Sequence, residues 1–179
     1  MNKFRKSVVT RLRKFWTKTL PEFNLLILGL NNSGKSTLAG RLCMKNEESD
    51  INPTVQPNEM DLEYKTMKVH MRDLSGQWRM RQLWHTFYQN TNALIFVVDS
   101  TDVSRLGEAR CELCDILLDE RMAQVPLLIL ANKQDVSGAL PSSMIVDLMG
   151  LNRLEGRAWS ILECSTLTGN GSFVSKTFQ

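Results

Sequence analysis

The sequence predicts an α/β domain with a mostly parallel, six-stranded sheet, one antiparallel edge strand, and helices on both faces. Short apolar runs bounded by turn residues occur at residues 25–28, 93–98, 127–130 and 159–162. The segments between these runs have apolar residues at helical spacing. Runs such as "LIFVV" are apolar at every position, which is typical of parallel strands covered on both faces. Between Glu59 and Arg72, apolar and polar residues alternate about a Lys65-Thr66 turn, and this pattern predicts an antiparallel hairpin at one edge.

Length and charge indicate one domain preceded by a basic arm. The chain has 179 residues with 42% hydrophobic and 23% charged content, enough for one globular domain with its own core. The formal net charge is +3, and seven cations precede the first acid, Glu22, so the rest of the chain is mildly acidic. We therefore divide the chain into an arm, residues 1–20, and a domain, residues 21–179. Four cysteines without a secretory segment favour reduced thiols and a cytoplasmic location.

The arm is predicted to form an amphipathic helix that contacts membranes reversibly through residues 1–18. At about 100° per residue, six apolar side chains share an arc of roughly 140° while most cations take the other side. They are Phe4, Val8, Val9, Leu12, Phe15 and Trp16. Permanent packing of this helix on the domain is the alternative. Asn2 excludes N-myristoylation, so membrane contact rests on the helix and its charges. Nucleic acid is not an expected partner because the domain is acidic.

The strongest chemical motif is "LLILGLNNSGKST", an apolar strand followed by the phosphate-binding pattern GxxxxGK[ST]. In this arrangement backbone N–H groups and a helix N-terminus surround phosphates, Lys35 reaches the β- and γ-phosphates, and Ser36 ligates Mg²⁺. The predicted phosphate-binding residues are Gly29, Asn31, Asn32, Ser33, Gly34, Lys35, Ser36 and Thr37.

A second motif, "NKQD", follows the apolar run "LLILA" directly, where α/β sheets bind ligands. It matches the NKxD box of GTP-binding proteins. That resemblance implies that Asp135 accepts hydrogen bonds from guanine N1–H and the exocyclic amine, and that the stem of Lys133 lies over the ring. It also implies that a backbone N–H of the Cys164-Ser165-Thr166 loop contacts guanine O6. The predicted base-binding residues are Asn132, Lys133, Asp135, Cys164, Ser165 and Thr166.

Two further segments, Pro53-Thr54 and "DLSGQ" at residues 73–77, complete a set that resembles the Arf/Arl branch of small GTPases. The similarity covers residues 22–172 and includes "QLW", "NTNALIFVVDSTD", "GAL" and "CSTLTG". It implies the small-GTPase form of the P-loop NTPase fold. It also implies that Thr54 binds Mg²⁺ and the γ-phosphate, Asp73 holds Mg²⁺ through water, Gly76 donates its amide to the γ-phosphate and Gln77 orients the attacking water. The predicted catalytic residues are Gln77, Lys35 and Thr54, and the predicted metal ligands are Ser36, Thr54 and Asp73.

The function implied by the resemblance is a Mg²⁺-dependent GTP/GDP switch that hydrolyses GTP slowly without an activating protein. Such a switch recruits effectors in membrane or ciliary trafficking, as a monomer that is cytoplasmic and peripheral on intracellular membranes. Effector, exchange-factor and activating proteins are expected at the switch and hairpin surfaces, on Thr54, Arg72, Trp78 and Phe87. In the family pattern, the GDP form holds the arm in a groove and the GTP form expels it.

Several departures from the family pattern concern the partner surface. Ser75-Gly76 replaces two glycines, as in the ciliary, coat-recruiting Arf-like subgroup. Gln56-Pro57 replaces a Gly-Phe pair and Arg72 replaces a tryptophan, so only Phe87 remains of an aromatic triad. The closing amphipathic helix is expected to be short or missing. These departures keep open an alternative function, a non-hydrolysing, nucleotide-locked GTP-binding scaffold with an altered effector surface.

Overall fold

Five parallel strands form the centre of the sheet in a computed structural model that describes residues 8, 22–43, 58–64, 67–172 and 177–178. The strand order is β2-β3-β1-β4-β5-β6-β7, with β8 also paired to β6. The strands are β1 Glu22–Leu28, β2 Asn58–Tyr64, β3 Met67–Asp73, β4 Ala93–Asp99, β5 Leu127–Asn132, β6 Trp159–Ser165, β7 Asn170–Ser172 and β8 Thr177–Phe178. The α-helices described are α1 Lys35–Cys43, α2 Trp78–Arg81, α3 Leu106–Leu118 and α4 Ser142–Met149. Short 3₁₀ segments lie at Trp84–Phe87, Val103–Arg105, Glu120–Met122 and Leu151–Arg153.

The predicted apolar runs coincide with β1, β4, β5 and β6, and the predicted hairpin with β2 and β3. Strands β2 and β3 pair antiparallel, with Glu59 opposite Arg72 and Asp61 opposite His70. Side-chain contacts join both pairs: Arg72 Nε forms an ion pair with Glu59 at 3.0 Å, and His70 Nδ1 lies 2.7 Å from Oδ1 of Asp61. The fold class is therefore confirmed.

The number of strands differs from the prediction: among the described residues the sheet has eight strands rather than six, and antiparallel strands lie at both of its edges rather than at one. After β6 the chain reverses through Gly169, whose φ of 78° suits glycine, and β7 pairs with the edge of β6. The sequence of β7, "NGS", carries no strand pattern. Its conformation follows from hydrogen bonding to the open edge of β6 rather than from its own side chains.

Alternate residues of the parallel strands point to opposite faces of the sheet and build two apolar layers. On the α3 face, side chains of α3 and α4 such as Leu113 and Ile145 pack on Phe96 and Ile129. On the α1 face, Leu38, Ala39 and Leu42 of α1 belong to the layer that includes sheet residues. Those sheet residues are Phe23, Leu25, Ile27, Val69, Met71, Ala93, Ile95, Val97, Leu128, Leu130, Leu162 and Cys164.

The carboxyl ends of the parallel strands deliver the functional loops to one edge of the domain. Strands β1, β4, β5 and β6 end at Leu28, Asp99, Asn132 and Ser165. The phosphate-binding motif follows β1, the NKQD motif begins at the end of β5, and the 164–166 segment lies at the end of β6. Strand β4 lies between β1 and β5.

Of the arm, only Val8 lies among the described residues, where it is helical and buried. The described helices are all too short or too polar to cross a membrane.

Candidate functional site

The phosphate-binding loop joins β1 to α1 and requires glycine at two positions. Gly29 has a φ of 144° and Gly34 a φ of 97°, both in the region that favours glycine. A Cβ atom at Gly29 would lie 2.3 Å from the Val97 carbonyl oxygen, and one at Gly34 would lie 2.2 Å from Nδ2 of Asn132. The loop is therefore held tightly against β4 and β5, with the N-terminus of α1 directly behind it.

Lys35 begins α1 and folds back over this loop. Its Nζ donates a hydrogen bond to the Leu30 carbonyl oxygen at 2.8 Å, and the residue is buried. Burial lowers the pKa of Lys35 to about 8, while the Asp73 carboxylate opposes that shift. A buried ammonium group beside a glycine-rich loop suits a polyanionic ligand, and the phosphates of a nucleotide meet this requirement.

Asp73, at the end of β3, supplies the negative charge that a metal ion needs. Only 1% of the residue is exposed, and neither carboxylate oxygen has a well-formed hydrogen bond within the described part of the chain. Burial raises the pKa of Asp73, and the Ser36 hydroxyl and Lys35 ammonium act in the opposite direction. A buried carboxylate next to a hydroxyl is an oxygen donor set that fits Mg²⁺, so Asp73 and Ser36 would hold that ion. Thr54, the other predicted ligand, lies outside the described residues.

Gly76 connects the phosphate-binding loop to the segment that follows it. Its carbonyl oxygen accepts hydrogen bonds from the Asn31 N–H at 3.0 Å and from Nε of Arg81 at 2.8 Å. A Cβ atom here would lie 2.4 Å from the Leu30 carbonyl carbon, so no other residue fits without moving the loop. Gln77 comes next, exposed at the N-cap of α2, with its N–H 3.3 Å from Oγ of Ser75. The structure thus places Gln77 beside the phosphate-binding loop.

Arg81 is a component of the site that sequence analysis missed. Its side chain is 5% exposed, and its Nη1 donates to Glu108 at 2.7 Å and to Glu112 at 2.9 Å. Both glutamates lie on α3, so one guanidinium group ties Gly76 to a helix on the α3 face. A charge this deeply buried is retained only where several partners satisfy it.

Asn132, at the end of β5, holds together three loops that are distant in sequence. Its Nδ2 donates to the Ser33 carbonyl oxygen at 2.7 Å and to Oγ1 of Thr166 at 3.0 Å. Its Oδ1 accepts the Thr166 N–H at 2.8 Å. The structure therefore brings the phosphate loop, the NKQD loop and the 164–166 loop together, as the motifs predict.

The rest of the NKQD loop is fixed while its aspartate is left exposed. Lys133 has a φ of 65°, and its Nζ lies 2.6 Å from Oδ2 of Asp99, which helps to lower the pKa of that carboxyl against burial. The Gln134 N–H donates to the Cys164 carbonyl oxygen at 3.1 Å. Asp135 is exposed, and its carboxylate has no hydrogen-bond partner among the described residues. An anchored loop with an unengaged carboxylate can accept donors from a planar base.

The predicted partner surface is spread over two elements. Trp78 is 67% exposed, and the Arg81 guanidinium carbon lies 5.5 Å from its ring centroid. Phe87 is half-buried and lines an apolar cavity of about 160 Å³ with Leu83, next to Trp84. On the hairpin, Arg72 is engaged by Glu59 rather than free, as the cross-strand register dictates.

Comparison with known proteins identifies the family to which this arrangement belongs. Residues 8–176 match the profile of the ADP-ribosylation factor family. The chain is 36% identical over 152 residues to ADP-ribosylation factor J of Dictyostelium discoideum, covering 85% of this chain and 80% of that protein. It is 38% identical over 152 residues to ADP-ribosylation factor 1 of Brassica rapa subsp. pekinensis, covering 85% and 83%.

A solved structure has a similar fold. The Arl6 (BBS3) small GTPase of Trypanosoma brucei with bound GppNp has a TM-score of 0.77 and 31% identity. The similarity covers 83% of this chain and 90% of that one. The chain therefore belongs to the ADP-ribosylation factor family of small GTPases, which bind GTP and GDP with Mg²⁺ and hydrolyse GTP.

Proposed function

We propose that the chain is a switch that recruits effectors in membrane or ciliary trafficking, and that its signal passes through Gly76. The observation that carries this proposal is the double hydrogen bond to the Gly76 carbonyl oxygen. One donor, the Asn31 N–H, belongs to the phosphate-binding loop, and the other, Arg81 Nε, belongs to α2. A γ-phosphate that engages the amide of Gly76 would therefore displace a group already bonded to the partner surface.

The chemical step is assigned to residues that lie around the phosphate-binding loop. Lys35 would neutralise phosphate oxygens, and Gln77 would orient the attacking water from its exposed position at the N-cap of α2. Mg²⁺, held by Ser36 and Asp73 with Thr54, would supply the charge that stabilises the β- and γ-phosphates. The guanine base would lie on the NKQD loop, where Asp135 is available to accept two hydrogen bonds.

The effector surface is proposed on α2 and the hairpin. A tryptophan with two-thirds of its surface exposed is a strong anchor for a partner, and the apolar cavity beside Phe87 offers a second contact. Arg72 stands where the family has a tryptophan, and it forms an ion pair with Glu59, which favours a partner that presents polar groups to the hairpin. Ser75-Gly76 and the similarity to the Arl6 structure support a place among Arf-like members.

Peripheral membrane contact is proposed through the cations of residues 1–18. Seven cations in this segment would bind an anionic lipid surface, with a strength that falls as salt concentration rises. Replacing Arg11 and Arg13 with glutamate should lower co-sedimentation with phosphatidylserine vesicles. Sedimentation that is unaffected by this change or by salt would contradict the proposal.

Single-turnover GTP hydrolysis tests the catalytic assignment. Gln77→Leu should retain GTP binding and lower the hydrolysis rate by at least about 10-fold, because leucine cannot orient water. Gln82→Leu is the matched control, since Gln82 is an exposed glutamine five positions further along the chain. A rate that is equal in wild type and Gln77→Leu would instead support the nucleotide-locked scaffold.

A further inference from the structure

Arg105 joins the phosphate-binding loop to the segment that follows β4. It ends the 3₁₀ segment Val103–Arg105, immediately before α3. Its Nη1 donates hydrogen bonds to Oδ1 of Asn31 at 2.9 Å and to the Asn31 carbonyl oxygen at 3.3 Å. The two residues are 74 positions apart in sequence, and Arg105 belongs to none of the predicted motifs. One guanidinium group therefore holds both the side chain and the backbone of Asn31.

The guanidinium group of Arg105 is itself held by Asp102. Oδ2 of Asp102 accepts a hydrogen bond from Nε of Arg105 at 2.7 Å and lies 2.6 Å from Nη2. The Asp102 carboxylate also accepts a hydrogen bond from the Ser104 hydroxyl at 2.8 Å. The bonds from Arg105 and Ser104 lower the pKa of Asp102, so the carboxylate is ionised at neutral pH. Because this carboxylate compensates its charge, Arg105 is suited to fixing the position of Asn31 rather than to attracting phosphates from a distance.

Asn31 is also held by Gly76, through a bond that the switch would remove. The Asn31 N–H donates to the Gly76 carbonyl oxygen at 3.0 Å. In the proposed function a γ-phosphate engages the amide of Gly76 and displaces that residue, so this bond would be weakened or lost in the GTP state. The bonds from Arg105 do not involve Gly76 or the segment that follows it. Within the described part of the chain, Arg105 is therefore the contact that still holds Asn31 after Gly76 moves.

We propose that Arg105 is a positioning residue for GTP, which keeps Asn31 and the loop around it in place when Gly76 responds to the γ-phosphate. Asn31 is the third residue of the phosphate-binding motif, whose backbone N–H groups surround phosphates. Its side chain is exposed, and Arg105 is its hydrogen-bond partner among the described residues. Without Arg105, both the backbone and the side chain of Asn31 would move relative to the γ-phosphate and to Gln77. This inference rests on the proposed function, because it requires the movement of Gly76.

Nucleotide binding by Arg105→Met tests the proposal. Methionine keeps much of the apolar stem and removes the bonds to Asn31 and Asp102. Affinity for a non-hydrolysable GTP analogue should fall about 10-fold, the lower end of what a hydrogen bond to a charged group contributes, because Arg105 is partly exposed. Affinity for GDP should stay within about 3-fold of wild type, since the bond to Gly76 remains in that state. Single-turnover hydrolysis at saturating GTP should slow by about 10-fold as well.

Two further variants separate positioning from a general structural role. Arg110→Met is the matched control, since Arg110 is exposed and has no hydrogen bond or ion pair among the described residues, and it should bind both nucleotides like wild type. Arg105→Lys should bring the ratio of the two affinities back to within about 3-fold of wild type, because an ammonium group can still donate to Oδ1 of Asn31. If Arg105→Met does not fold, Asp102→Asn replaces it, with the same selective loss of GTP-analogue affinity at about 3-fold. An affinity ratio equal to that of wild type would overturn the proposal, whether both affinities fall or neither does.

Tryptophan fluorescence of the wild type tests the movement of Gly76 separately. Trp78 lies two positions after Gly76, so exchange of GDP for the GTP analogue should change its emission, and Trp78→Phe should abolish that change. A wild type without this change would contradict the proposed function, and the role of Arg105 would fall with it. A wild type that shows the change, beside an Arg105→Met variant with an unaltered affinity ratio, would overturn the role of Arg105 alone.

Discussion

Replacing Arg81 with methionine should both destabilise the domain and slow hydrolysis. Methionine keeps much of the apolar stem but removes the hydrogen bonds to Gly76, Glu108 and Glu112. A hydrogen bond to a charged group contributes about 1.5–3 kcal/mol. The Glu108 and Glu112 side chains are 35% and 18% exposed, so water can partly rehydrate them after the change. We therefore expect a total loss of about 3 kcal/mol in the free energy of unfolding, below the simple sum of three bonds.

Thermal unfolding and single-turnover hydrolysis measure the two effects separately. A loss of about 3 kcal/mol should lower the midpoint by about 6–12 °C in a domain of this size. Because Gly76 loses a bond and Gln77 follows it directly, the hydrolysis rate should fall on the order of 10-fold. Arg79→Met is the matched control, since Arg79 is exposed and has no hydrogen bond or ion pair among the described residues. If the two variants unfold at the same temperature, the assigned role of Arg81 is wrong.

Three further changes probe the guanine end of the site. Asp135→Asn should exchange guanine for xanthine preference in competition binding, because the amide reverses one donor-acceptor pair; an unchanged preference for GTP would show that Asp135 does not contact the base. Asn132→Ala should lower stability by about 2–4 kcal/mol in denaturant titration, since it leaves buried backbone groups unpaired; a loss below 1 kcal/mol would refute its role in joining the loops. Burial raises the pKa of Cys164 to about 12, so its thiol should react slowly at pH 8. Iodoacetamide treatment of the native protein followed by mass spectrometry should show modification of the exposed Cys111 and Cys114 but not of Cys164. Rapid modification of Cys164 would mean that this loop is open to solvent.

The nucleotide loops could be predicted from sequence because each is a contiguous motif behind an apolar strand. In residues 29–36 and 132–135, the ligand-binding residue types and the preceding apolar strand lie within a few positions of each other. The structure brings both loops to one edge of the sheet. The hairpin could be predicted equally well, because its alternating pattern and its turn residues are contiguous in sequence. Thr54 stays a prediction, since it lies outside the described residues.

The contacts of Arg81 could not be predicted because they join residues that no motif links. Glu108 and Glu112 lie 27 and 31 positions away from Arg81, on α3, and belong to none of the predicted motifs. Strand β7 was missed for a related reason, since its conformation depends on the edge that it meets. Val8, a member of the predicted apolar stripe, is helical and buried, and periodicity alone does not say whether such a residue meets lipid or a sheet.

The nucleotide content of the purified, intact protein tests the central claim most directly. After denaturation, chromatography of the released small molecules should give guanine nucleotide at close to one per protein chain. GDP should predominate, because a protein that hydrolyses GTP and holds its product accumulates the diphosphate. A preparation that releases mainly GTP would contradict hydrolysis, and one that releases adenine nucleotide or none, while still failing to bind added GTP with Mg²⁺, would contradict the assignment of the site.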